Sequence, residues 1–273
     1  MLKPISIALK NHWKLDGIPI FTDNWIWVLH TKGGAWAVDP GEAHSLIEWC
    51  KHHPESPLQG ILVTHKHHDH IGGIAHLLEY APELMIWAPA YHAWPFPHKP
   101  VYDNESIQIK TQDHHHTLDI DILHIPGHTL EHVAYSLAQL DVLFCGDTLF
   151  SMGCGKMFEG SPEQFWTSLT RLRNLPETHH VACTHEYTLS NARFAAAVEP
   201  TSLDIQRFYA HCQNLHEQHI STLPSTLKVE RQLNPFLRCD TPAIQTAAET
   251  WAGHTISTPT DVFAALRSWK NNF

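Results

Sequence analysis

Four histidines and one aspartate fall within six consecutive positions of THKHHDHIGG (64–73), directly after the apolar run GILV. Imidazole nitrogens and carboxylate oxygens together suit zinc, iron or manganese, and the lack of a thiolate set argues against a closed structural zinc site. In a loop leaving a strand, His65 and His67 can turn toward one cation while Asp69 and His70 turn toward a second. Three further candidates stand downstream, each after an apolar run and before a turn: His128 in IPGHT, Asp147 in CGDTLF and His185 in CTHEYT. Seven ligands suffice for two divalent ions, with zinc the first expectation. The simplest division gives His65, His67 and His128 to one ion and Asp69, His70 and His185 to the other, with Asp147 bridging both. Two ions about 3.5–4 Å apart can lower the pKa of shared water from about 15.7 toward about 7, which makes a nucleophile at neutral pH. Asp69 and Asp147 are therefore the candidate catalytic carboxylates.

The chain has 25 histidines in 273 residues, so any one taken alone is most simply surface or core filler. DHHH (113–116), the pairs at 52–53 and 179–180, and His68 lack a strand end behind them and read as solvated loop residues. The ordered set at 65–70 differs because ligand chemistry and strand context coincide.

Such ligands need rigid elements to carry them. WIWVLH (25–30) and AWAV (35–38) are aromatic and β-branched runs joined by TKGG, a hairpin closed by glycines. The turn DPG (39–41) leads into AHSLIEWC, with apolar positions at helical spacing, and then into the strand ILVT (61–64). Further on, MIWAP, IQIK, the alternating LDIDILHI (118–125), VAYSL, DVLFCGD and HVACTH (180–185) read as strands, and PEQFWTSLTRLRNL (162–175) as a helix. LVTH (62–65) and ACTH (182–185) both end an apolar run with Thr-His, as two strand ends facing one site would. After about residue 188 strand-like runs nearly vanish and helical periodicity takes over. The layout predicts an α/β domain over 1–187 and a helical subdomain over 188–273.

Composition narrows the partners. A formal net charge of -10 opposes a nucleic-acid partner, which needs a basic footprint. Six cysteines without a CxxC pair, several in apolar runs such as LFC and VAC, read as reduced core residues. The segment MLKPISIALKNHWK has no long apolar stretch, so neither a secretory signal nor a membrane span is expected, and the cytoplasm is the expected location. A monomer is expected.

At these residues the sequence resembles the metallo-β-lactamase-fold hydrolases, whose signature is His-x-His-x-Asp-His after a strand. GCGKMFEGSPEQFW (153–166), THEYTLSNARFA (184–195) and NPFLRC (234–239), with DNWIWVL near the start and LRSWKNNF at the end, are similar to the bacterial hydroxyacylglutathione hydrolases, or glyoxalase II. The resemblance spreads over nearly the whole chain. It implies an αββα sandwich with a C-terminal helical subdomain, the seven metal ligands already chosen, and hydrolysis of S-D-lactoylglutathione to D-lactate and glutathione. It also implies glutathione contacts at Lys156, Tyr187, Asn191 and Arg238. Phe158 stands where many members have a tyrosine, and Thr241 where some have a further lysine. The same fold serves lactonases and other thioesterases, which form the alternative reading; a non-catalytic metal store is the alternative of a different class.

Overall fold

The computed structural model describes residues 2–110 and 117–273, so the DHHH run lies outside the described residues. The chain divides into two compact units: Met1–His124 with Glu131–Gly146, and Ile125–Leu130 with Asp147–Phe273.

The first unit begins with strands β1 (Ile5–Ala8), β2 (Lys14–Ile20), β3 (Asn24–Thr31), β4 (Gly34–Val38), β5 (Leu58–Leu62), β6 (Met85–Pro89) and β7 (Lys99–Val101), which form one sheet in that order. Pairing is antiparallel from β1 to β4 and parallel from β4 to β7. All eight positions of β3 are buried, as expected of an apolar run covered on both faces. Gly33, at φ 89°, supplies the turn between β3 and β4 that the glycines predict. Helices α1 (His44–His52), α2 (His68–Ile71) and α3 (Ile74–Tyr80) complete this layer. Leu46 and Trp49 of α1 and Leu77 of α3 pack with Ile26, Val28, Ala37 and Ile61 of the sheet.

A second sheet in the same unit joins β8 (Ser106–Lys110), β9 (Thr117–His124), β10 (Val133–Leu137) and β11 (Val142–Phe144), all antiparallel. Along β9 burial alternates with the sequence LDIDIL, so one face is dry and the other wet. The Tyr135 hydroxyl of β10 donates to the carbonyl of Val63 at 2.8 Å, which binds the two sheets together just where the histidine-rich loop departs. Burial, the Asp39 charge adding to it, pushes that phenol well above its ordinary pKa.

The second unit holds the short hairpin β12 (Leu149–Phe150) and β13 (Gly153–Cys154), α4 (Pro162–Arg173), β14 (His180–Ala182), α5 (Thr188–Val198), α6 (Leu203–Glu217), β15 (Ser225–Thr226), α7 (Leu227–Leu233), α8 (Pro242–Ala252) and α9 (Pro259–Asn271). Helix α4 starts with a capping box between Ser161 and Gln164 and with Pro162 in its first turn, the combination that satisfies otherwise orphaned amides. The buried carboxylate of Glu230 in α7 accepts from Met152 N at 2.7 Å and from Asn234 Nδ2 at 3.0 Å, fixing the β12–β13 hairpin to the helices.

The expected strands, the helix at 162–175 and the run of helices after 188 are present, while β1, β2 and β7 add to the expected sheet. Two histidine pairs differ from expectation. His52 and His53 close α1 with their Nδ1 atoms on the carbonyls of Glu48 and Trp49, and His179 is wholly buried. Among the described residues no helix is long and apolar enough to cross a membrane.

Candidate metal centre

In the first unit the ligand loop begins where β5 ends. Its neighbour β4 runs parallel, so both strands deliver their C-terminal ends to one edge, the place where α/β sheets carry their working residues. Asp39, just past β4, is the pivot. Its Oδ1 accepts from Thr64 N at 2.8 Å and its Oδ2 accepts from Thr64 Oγ1 at 2.6 Å. His70 Nδ1 lies 3.0 Å from the same Oδ2. A carboxylate only accepts, so His70 carries its proton on Nδ1 and presents the lone pair of Nε2. The Thr64 hydroxyl, having donated to Asp39, accepts from His65 Nδ1 at 3.0 Å and turns His65 Nε2 outward in the same way.

The rings so fixed crowd together. His65 Nε2 and His67 Nδ1 are 3.0 Å apart, and the His65 ring lies 4.0 Å from that of His70 and is stacked on His132 at 4.6 Å. Asp39, His65 and His70 have ligand atoms within 4.8 Å of one another. Asp69 Oδ2 takes the Asn24 amide at 2.9 Å and lies 3.7 Å from His70 Nε2. Lys66 N donates to Glu131 at 3.0 Å, which anchors the loop from the second sheet. The backbone demands glycine nearby: a Cβ on Gly41 would stand 2.0 Å from the Asp69 carbonyl oxygen. His68, alone of the four histidines, is exposed.

In the second unit two imidazoles point at one carboxylate. His128 Nε2 lies 3.5 Å and His185 Nε2 3.3 Å from Asp147 Oδ2. His128 Nδ1 donates to the Lys156 carbonyl at 2.7 Å, which again fixes the tautomer that offers Nε2. A Cβ on Gly155 would stand 1.8 Å from the Asp147 carbonyl oxygen, so that strand-to-loop packing also requires glycine. Nitrogen and carboxylate donors with orienting partners fit divalent metal ions.

Three of the expected substrate residues flank these histidines. Tyr187 stacks on His185 with ring centroids 4.7 Å apart. Phe158 meets His128 edge-on at 5.2 Å, and Lys156 Nζ lies 5.2 Å over the Phe158 ring. The other two have partners within the protein. Asn191 is buried, and its amide donates to the Ser151 carbonyl at 3.1 Å; Arg238 is neutralised by a two-pronged pair with Glu199. Thr241 donates to the Arg238 carbonyl at 2.8 Å at the start of α8. Sequence reasoning missed Asp39, Asn24, Glu131 and His132. Only Asp39 left a signal, as an acidic residue at the end of an apolar run.

Residues 21–185 match the metallo-beta-lactamase superfamily, the class whose layered sheets and histidine-rich loop the structure displays. A crystal structure of the BLEG-1 B3 metallo-beta-lactamase shares the fold, with a TM-score of 0.60 at 22% identity over 82% of this chain and 99% of that one. Residues 186–273 match the family described as hydroxyacylglutathione hydrolase C-terminus. The hydroxyacylglutathione hydrolase of Pseudomonas entomophila is 44% identical over 95% of this chain and 99% of its own length, and that of Nitrosomonas europaea 41% identical over 93% and 94%. The chain belongs to the hydroxyacylglutathione hydrolase family.

Proposed function

We propose that the chain hydrolyses the thioester bond of 2-hydroxyacylglutathiones, S-D-lactoylglutathione first among them, releasing the hydroxy acid and glutathione as the second step of methylglyoxal detoxification. The observation that carries this reading is likeness to hydroxyacylglutathione hydrolases along the whole chain, including the C-terminal segment particular to them. His65, His67 and His128 are the ligands proposed for one divalent ion and Asp69, His70 and His185 for the other, with Asp147 common to both and zinc the metal proposed. When bound, such ions acidify water and polarise a carbonyl. The chain's own residues supply the rest. Asp39 and the Lys156 carbonyl hold His70 and His128 in ligating tautomers, and Thr64 does so for His65. Lys156 offers a cation to a glutathione carboxylate, Tyr187 and Phe158 offer walls to its peptide, and Asp69 or bound water handles the proton. The thiolate is a good leaving group and needs no dedicated acid.

The prior commitments of Asn191 and Arg238 favour one second reading, a lactonase or another thioesterase of the same fold with a looser grip on glutathione. Assaying the purified full chain on S-D-lactoylglutathione, an acyl thioester without the peptide and a homoserine lactone separates the two. Preference for the first substrate together with two metals per chain supports the proposal; preference for the lactone sinks it. A cytoplasmic monomer without nucleic-acid partners completes the reading.

A further inference from the structure

A second site stands in the first unit and shares no residue with the metal ligands. Strands β1 and β2 and the last turns of α1 enclose a cavity of about 380 Å³ whose apolar surface comes from Ile5, Ile18 and Trp49. Its polar lining is rich in acceptors. Asp16 is only 7% exposed; its Oδ2 takes the Trp49 indole N–H at 2.9 Å and lies 3.0 Å from His30 Nε2, while its Oδ1 is buried without a well-formed hydrogen bond. His52 and His53 set their Nδ1 atoms on the carbonyls of Glu48 and Trp49, which leaves Nε2 as the outward nitrogen of each ring. The His53 ring stacks on Trp49 with centroids 4.2 Å apart, which holds that nitrogen in place, 3.9 Å from Asp16 Oδ2. Glu48 adds a carboxylate, one oxygen of which meets Lys51 Nζ at 2.7 Å. Among the described residues no lysine or arginine lines the cavity, and the Ser6 and Ser45 hydroxyls are its other polar groups.

An acceptor-lined cavity with an indole face and a buried carboxylate selects ligands that donate and are positive. We propose that this cavity binds a small organic cation, an alkylammonium whose N–H groups meet Asp16, Glu48 and the Nε2 atoms of His52 and His53 while its carbon stem lies on Trp49, Ile5 and Ile18. The cation adds N–H groups to carboxylates that Trp49, His30, Ser6 and Lys51 satisfy only in part, and the aromatic face adds attraction that a hydroxyl could not draw.

The probe is n-butylammonium, titrated into the full-length protein at constant ionic strength while the Trp49 indole N–H is followed by NMR; n-butanol serves as the neutral isostere and nickel chloride as the metal control. A saturable shift with n-butylammonium alone is expected, weakened severalfold by Glu48→Gln and at least tenfold by Asp16→Asn. Because Asp16 also supports the fold, the exposed Glu48→Gln variant and the comparison with butanol keep the test decisive if Asp16→Asn does not fold. An equal response to butanol, a response to nickel alone, or no saturable shift would overturn the proposal.

Discussion

Asp39 illustrates how much a single side chain outside the ligand set can control. It fixes the backbone at Thr64, the Thr64 hydroxyl and the Nδ1 proton of His70 at once. Orienting partners of this kind typically change metal affinity about 10–100-fold. Asp39→Ala should therefore lower metal affinity by about that factor, measured by competition with a chelator, while Asp147→Asn should lose at least one metal outright. Undiminished affinity in Asp39→Ala would show that the tautomers are set elsewhere. Lys156 and Arg238 separate in the same way. Lys156→Ala should raise KM for S-D-lactoylglutathione more than it lowers kcat, the mark of lost ground-state binding. Arg238→Ala should chiefly lower stability, by about 1–3 kcal/mol in urea melts, because Glu199 is left half-buried without its partner. A pure KM effect for Arg238→Ala would restore it to the substrate.

At the scale of elements, the two parallel strands β4 and β5 place the DPG turn against the ligand loop, and Gly41 is the point of contact. Gly41→Ala must push the Asp69 carbonyl away; a loss of at least about 3 kcal/mol by denaturant melts is expected, with metal content falling in proportion. Stability within about 1 kcal/mol of the parent would mean that the turn adapts. The ligand loop itself was legible because its chemistry is local: residues 65–70 are neighbours in sequence and follow an apolar strand. Asp39 was not, because its task exists only once β4 lies beside β5, which no periodicity states. The pairing of Arg238 was hidden for a related reason. Its partner Glu199 stands 39 positions earlier, and sequence alone gives no sign that the two charges are already matched. The helices after residue 188 were readable from their spacing, whereas the four residues of β1 are too short to stand out.

For the molecule as a whole, acid is the condition that tests its electrostatics most directly. Burial alone pushes the Asp16 carboxyl up, but donors from His30, Ser6 and Trp49 overturn that and bring it from 3.8 to about 2. A carboxyl lowered in the folded state stabilises above its unfolded value, and that stability is lost as pH falls through the folded one. Asp16 should therefore contribute about 2 kcal/mol at neutral pH, lost between about pH 4 and pH 2. Melts across that range should show Asp16→Asn destabilised near pH 7 and flatter toward acid than the parent; parallel curves would refute the assignment. The path of the chain has a different consequence, for the order of events during synthesis. Ile125–Leu130 belongs to the second unit although it is encoded between two strands of the first. A nascent chain emerging N-terminus first completes the parts of the first unit at Gly146 while holding six residues, His128 among them, that belong to a unit most of which has yet to be translated. Cutting the gene after residue 146 would strand that segment, so the two units cannot be produced whole as separate polypeptides without moving those six codons.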